Sequence, residues 1–175
     1  MKKIFLTCFA VVSCFFNAQV TQFLCENFTS YFIEGTLMAA NKDGSCYPWV
    51  ESRVSSFPAP NGYAITIPPY SNFNVAHYLS STNPFITDWG IQFTPAGAEI
   101  PAGLNHPVIQ IGTSLQTNTD WRKFEFVTRD NAFNYFSEYP MGDNYLCGGH
   151  YVSLTRPEAH AEWYTIGEYT IVSVF

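Results

Sequence analysis

Glu158, His160 and Glu162 stand two residues apart, so on a β-strand they share one side while Ala159, Ala161 and Trp163 take the other. An imidazole between two carboxylates could hold a divalent ion such as Zn²⁺ or Ca²⁺, provided a neighbouring strand completes the shell. No second His or Cys stands at ligand spacing, so the pattern reads as a solvated strand face with Trp163 in the core, and no metal or cofactor is assigned. His150 follows Cys147 across Gly148-Gly149, a superficial match to a thiol nucleophile with its base. A working pair needs an oriented third group as well, residues three apart around two glycines serve a turn, and no recognised Cys signature is present. Asp88, Asp120, Asp130, Glu138 and Asp143 could supply the two carboxylates of a glycosidase, whose separation in space decides the matter. Asp130-Asn131 and Asp143-Asn144 have ordinary turn composition, and no catalytic residue is assigned.

Aromatic side chains offer a different chemistry, since their faces stack on sugar rings and their edges pack in cores. Trp89 heads an alternating run with Ile91 and Phe93 and is expected inside. Trp49 follows Pro48 in a polar stretch from Ser45 to Ser56, with Val50 and Val54 on the opposite phase. Trp49 is therefore the candidate ligand-binding platform.

The start of the chain is an address. Met1-Lys2-Lys3 is basic, Ile4 to Phe16 is almost unbroken apolar sequence, and Ala18 precedes a switch to polar Gln19. This is the layout of a secretory signal peptide over residues 1–18, too short in its apolar run for a permanent anchor. Val11-Val12-Ser13-Cys14 resembles a lipobox, so a lipoprotein acylated at Cys14 stays as an alternative. Residues 19–175 then form one domain, and its surroundings are periplasmic, cell-surface or extracellular. Cys8 and Cys14 fall in the leader, leaving Cys25, Cys46 and Cys147; three thiols in an oxidising compartment imply one disulfide and one remainder. The expected pair is Cys25–Cys46, placed near the ends of the first strand pair.

The 175-residue chain carries a formal charge of −6, which becomes −8 once Lys2 and Lys3 leave with the leader. The six remaining fixed cations make no basic stripe, and nucleic acid is excluded as a partner. Only 13% of residues are charged while 18% are aromatic, so the surface depends on amides and hydroxyls for its solubility. No transmembrane helix is expected in residues 19–175.

Period-two alternation recurs throughout: Tyr63-Ile65-Ile67 before Pro68-Pro69, Trp89-Ile91-Phe93, Ile109-Ile111 after Pro107, Phe124-Phe126-Thr128, and Tyr169-Ile171-Ser173-Phe175. Turn chemistry separates these runs, as in Asn41-Lys42-Asp43-Gly44 and Pro60-Asn61-Gly62. The pattern predicts an all-β chain of eight to ten short strands, as one antiparallel sandwich of Ig-like or jelly-roll-like type or, alternatively, a small closed barrel. After Trp121 the phase is irregular: it shares a face with Lys123 and Glu125 unless a bulge intervenes. A small outer-membrane barrel is a further alternative, suggested by the closing aromatic strand; the eight prolines from Pro58 to Pro107 argue against its long strands.

Cys25, the strand from Phe28 to Ala40, Cys46, Ile65-Thr66-Ile67-Pro68-Pro69-Tyr70-Ser71, Asp88-Trp89 and the closing Trp163 to Phe175 together resemble a group of small exported β-sandwich proteins of Gram-negative bacteria. The resemblance implies the fold and carries no functional residue across. The residues themselves point to an exported, non-catalytic binding or adhesion protein with carbohydrate as the first ligand class to test. A structural surface protein, a partner of another surface protein, and a glycan-acting hydrolase remain the alternatives.

Overall fold

The computed structural model describes residues 22–53, 62–79, 86–143 and 150–175, so the predicted leader, Cys147 and the alternative acylation at Cys14 lie outside the described residues. Twelve strands are present among them: β1 (Gln22–Asn27), β2 (Phe32–Asn41), β3 (Trp49–Arg53), β4 (Ile65–Ile67), β5 (Ser71–Val75), β6 (Asp88–Gln92), β7 (Ile100–Gly103), β8 (Thr119–Arg129), β9 (Tyr135–Gly142), β10 (Ser153–Thr155), β11 (His160–Ile166) and β12 (Tyr169–Val174). They form two sheets packed face to face. The smaller runs β10-β11-β12-β1-β5 and the larger β7-β6-β3-β2-β8-β9, with β4 also on β2. Both sheets are open, which rules out the closed-barrel alternative and bears out the all-β sandwich. No helix of the described residues is long and apolar enough to cross a membrane.

Alternation along each strand fills the space between the sheets. Phe23 and Cys25 of β1, Val172 and Val174 of β12, and Ala161 and Trp163 of β11 meet Ile33 and Leu37 of β2, Phe124 and Phe126 of β8, and Tyr139 and Met141 of β9. Trp89 is fully buried, as expected; its ring packs edge-on to Tyr78 at 5.0 Å and its Nε1 donates to the Tyr78 carbonyl at 2.8 Å. Among the named strands all pairings are antiparallel except β1 with β12, which run parallel from Gln22↔Tyr169 to Asn27↔Val174; an isolated parallel bridge also joins Met141 to Tyr151.

Three local irregularities shape the surface. Met38 pairs with Lys123 and Ala39 with Trp121, leaving Arg122 as an extra residue in β8. This bulge lets Trp121 turn inward with Phe124 and Phe126 while Lys123 and Glu125 face out. Along β2 the partner changes from β4 at Ile33–Gly35 to β3 at Met38–Ala39, and the Ser52 hydroxyl accepts the Leu37 N–H between them at 2.9 Å. The third irregularity corrects an expectation. Residues 107–111 form no strand: Pro107–Ile109 is a 3-10 turn, and α1 (Ser114–Asn118) follows it with Thr113 as its N-cap. Proline's fixed φ suits the first position of a helical turn, and the His106 side chain accepts the Val108 N–H, so Ile109 is buried while Ile111 is exposed.

The expected Cys25–Cys46 bridge is not made. Between Asn27 and Phe32 the chain crosses from the small sheet to the large one, so β1 and β2 are not a strand pair. Cys25 is a free thiol with no exposed surface. Burial, and secondarily the charge of Glu26, push its ionisation far above the ordinary range. Cys46 lies in the β2–β3 connection of the other sheet.

Candidate functional site

A hollow opens at the end of the sandwich where β2 stops. It has a volume of about 530 Å³ and is lined by Asn41, Lys42, Asp43, Pro48, Phe93, Ser114, Leu115 and Asn118. Three separate segments build it: the β2–β3 turn, the residue after β6, and α1. The turn is fixed by its own polar side chains. Asn41 Oδ1 accepts the Asp43 N–H at 3.3 Å, Asn41 Nδ2 donates to the Tyr47 carbonyl at 3.2 Å, and the Ser45 hydroxyl donates to that carbonyl at 2.8 Å. The Lys42 N–H donates to the Asn118 carbonyl at 2.9 Å, tying turn to helix.

Charge in the cleft is mixed. Asp43 accepts the Ser45 N–H at 2.9 Å; this bond, ahead of the Ser45 hydroxyl, holds its carboxyl below the usual range, so it is an acceptor-only group at neutral pH. Lys42 leans towards Asp120, its ammonium 3.7 Å from Oδ1. Leu115 and the rings of Pro48 and Phe93 supply the apolar wall, and Phe93 is 46% exposed because β6 ends at Gln92. A cleft with amides, a hydroxyl, one acid and one ammonium around an aromatic ring suits a small amphipathic molecule carrying many hydroxyls.

Trp49 stands beside this cleft and does not line it; its neighbour Pro48 does. The Trp49 ring is half-buried on the outer side of β3, with the Lys123 ammonium 5.7 Å from its centroid. Trp89, Trp121 and Trp163 are all buried, leaving Trp49 as the tryptophan within reach of solvent. In the sequence the residues that line the cleft read as turn chemistry or, for Phe93, as the inward tail of a strand. Asn41-Lys42-Asp43-Gly44 carries no other signal, since its partner segments lie about 50 and 75 residues further on.

The other chemistry-bearing residues are dispersed. His160 and Glu162 remain neighbours, Nε2 lying 3.2 Å from Oε1, and the Thr155 hydroxyl is 2.8 Å from His160 Nδ1. Glu158 leaves them, because β11 begins at His160 and the Arg156 N–H closes a turn onto the Ala159 carbonyl. Its carboxylate accepts the Thr128 hydroxyl at 2.7 Å and the Ser137 hydroxyl at 3.1 Å, with the Tyr139 hydroxyl 3.3 Å away. Desolvation pushes the Glu158 carboxyl up, and the Thr128, Ser137, backbone and Tyr139 donors together outweigh it, leaving the pKa lowered. Among the described residues no three His, Cys, Asp or Glu side chains gather as a metal site.

None of the five candidate glycosidase acids lines the cleft. Asp120 and Asp143 both engage Arg122, while Asp130 is consumed in its own turn, accepting the Ala132 N–H at 2.8 Å and the Asn134 N–H at 2.9 Å. His150 is buried, and its imidazole is held below the usual pKa by desolvation and then by Lys123. No family model, no curated protein and no solved structure matches this chain.

Proposed function

We propose that the protein is an exported, non-catalytic binding protein that takes a neutral saccharide in the cleft at the end of β2. The observation that carries this reading is the lining itself: the exposed Phe93 ring and Pro48 beside Asn41, Asn118, Ser114 and the ionised Asp43. A pyranose has an apolar face for such a ring and a rim of hydroxyls for such amides and acids. Lys42 and Asp43 offset each other, which favours a ligand without net charge. Trp49, next to Pro48 in sequence and half-buried on the outer side of β3, is the ring we assign to a second sugar unit of a longer chain.

Isothermal titration of the wild-type protein with cellohexaose, maltohexaose and N-acetylchitohexaose tests this. Phe93→Ala should weaken binding at the cleft at least tenfold without changing the melting temperature, since nearly half of the ring residue lies in solvent. A panel that leaves the wild type silent would sink the saccharide reading. Contact with another surface protein would then be favoured by the exposed Phe133, Tyr135 and Phe136 on the β8–β9 hairpin.

A further inference from the structure

A second hollow, of about 150 Å³, lies on the outer side of the small sheet and is lined by Glu26, Asn27, Phe28, Tyr70, Ser71 and Asn72. Two of its walls are aromatic rings largely in solvent, Phe28 at 51% and Tyr70 at 74% exposed. Phe28 is held by Phe175, whose ring lies 5.4 Å away at 16°, and the His160 ring continues the row 6.4 Å beyond at 25°. Tyr70 takes a backbone φ of 53°, a conformation that a bulky side chain adopts only when its surroundings impose it. Its N–H donates to the Thr29 carbonyl at 3.2 Å, which fixes the turn that presents the ring.

Beside the rings runs a row of hydrogen-bonding groups. Ser153, Glu162, Ser173, Glu26 and Asn72 stand opposite one another across the five strands of the small sheet. Glu26 Oε2 accepts the Ser173 hydroxyl at 3.0 Å, and the Tyr164 and Ser173 hydroxyls lie 2.9 Å apart. Two carboxylates in that row accept hydroxyl protons and repel anions, so the surface matches an uncharged polyol and excludes uronic acids. Ser173 is buried beneath the row, so the groups open to a ligand are Ser153 and Glu162 on one side of it and Glu26 and Asn72 on the other, with adjacent strands about 4.8 Å apart.

We infer that this hollow is a second saccharide site, with Phe28 and Tyr70 flanking one sugar ring and Glu26 and Asn72 meeting its hydroxyls. The first cleft lies at the Asn41 end of β2 and this hollow near its Phe32 end. The ten-residue strand separates them by about 30 Å. One domain is thereby bivalent and bridges two glycan chains. The inference rests on the same ligand class as the cleft but on different residues, so the two fail separately.

The test is titration of the intact protein with the three neutral hexaoses and with hexagalacturonate as the anionic control. Tyr70→Gly removes the ring and relieves the left-handed backbone at once, so it should fold at least as well as the wild type. Glu26→Gln keeps the shape and the Ser173 contact while removing the charge. The expected result is two bound hexaoses per wild-type chain, one per chain after Tyr70→Gly, one after Phe93→Ala and none in the double variant. Glu26→Gln should weaken the second site severalfold, hexagalacturonate should not bind there, and only the wild type should cross-link hexaose-coated beads. A stoichiometry of one that Tyr70→Gly leaves unchanged overturns the second site while sparing the cleft. A single site lost with Tyr70→Gly and indifferent to Phe93→Ala overturns the cleft while sparing this one, and silence towards all three hexaoses overturns both.

Discussion

Removing the Glu158 side chain tests how the two sheets are held together along their β9–β11 side. The carboxylate sits on the turn before β11 and reaches Thr128 of β8 and Ser137 of β9, so it joins the small sheet to the large one. Thr128 is wholly buried, and Glu158→Ala would leave its hydroxyl without this acceptor, a loss of about 1–3 kcal/mol. The Tyr139 hydroxyl also donates to the Ala159 carbonyl at 3.0 Å and keeps that partner, and Ser137 is only half-buried. A total of about 2 kcal/mol is therefore expected, or a fall of about 4–8 °C in melting temperature for a domain of this size. Glu158→Gln should cost less than half as much, because an amide can accept from Thr128 while donating to Ser137. The charge has its own signature. A carboxyl whose pKa is lowered on folding contributes stability that is full above the unfolded value of 4.5 and is lost as pH falls through the folded value. The difference between wild type and Glu158→Gln should accordingly shrink between pH 5 and pH 3 in parallel thermal melts. A Glu158→Ala protein that melts within a degree of wild type at pH 7, or a Gln difference as large at pH 3 as at pH 7, would refute the argument.

Burial sets two other outcomes. Trp89→Ala should cost about 3–5 kcal/mol, whereas Trp49→Ala removes a half-buried ring and one cation contact and should cost about 1 kcal/mol or less. Acrylamide quenching of single-tryptophan variants should separate the two; equal shielding of both would remove Trp49 from any binding role. Cys25 should resist alkylation until the protein is unfolded, and, with the leader removed as proposed, peptide mapping without reduction should join Cys46 to Cys147. A Cys25-containing disulfide would contradict the burial of that thiol.

How much of the fold is written locally varies from element to element. Ile65, Ile67, Trp89 and Ile91 all turn inward as their alternation requires, because a strand with one buried face leaves no freedom of phase. Trp121 is harder. Simple alternation puts it on the face of Lys123 and Glu125, and only the extra Arg122 returns it to the core. Ile109 and Ile111 alternate by coincidence, since a proline at a first helical position and the Thr113 cap decide that segment instead. The Cys25 pairing and the Glu158 position fail for a shared reason. Each depends on where the chain leaves one sheet for the other, and no window of neighbouring residues records that. The cleft is less visible still, being assembled from a turn, a strand end and a five-residue helix that meet only in the folded protein.

The parallel contact between β1 and β12 sets the order in which the small sheet can be finished. Glu26 and Ser173 are 147 residues apart, and closing so wide a loop is an entropic cost that grows with its length. β1 can find β5 early and β11 can find β12 late, but the sheet is two separate halves until residues 169–174 arrive between them. Before that moment each half presents a bare row of backbone donors and acceptors, the kind of edge that recruits strands from other molecules. A chain stalled in folding or clipped within its last strand therefore loses more than one strand: it exposes two adhesive edges and splits the sheet that carries the Phe28 and Tyr70 rings.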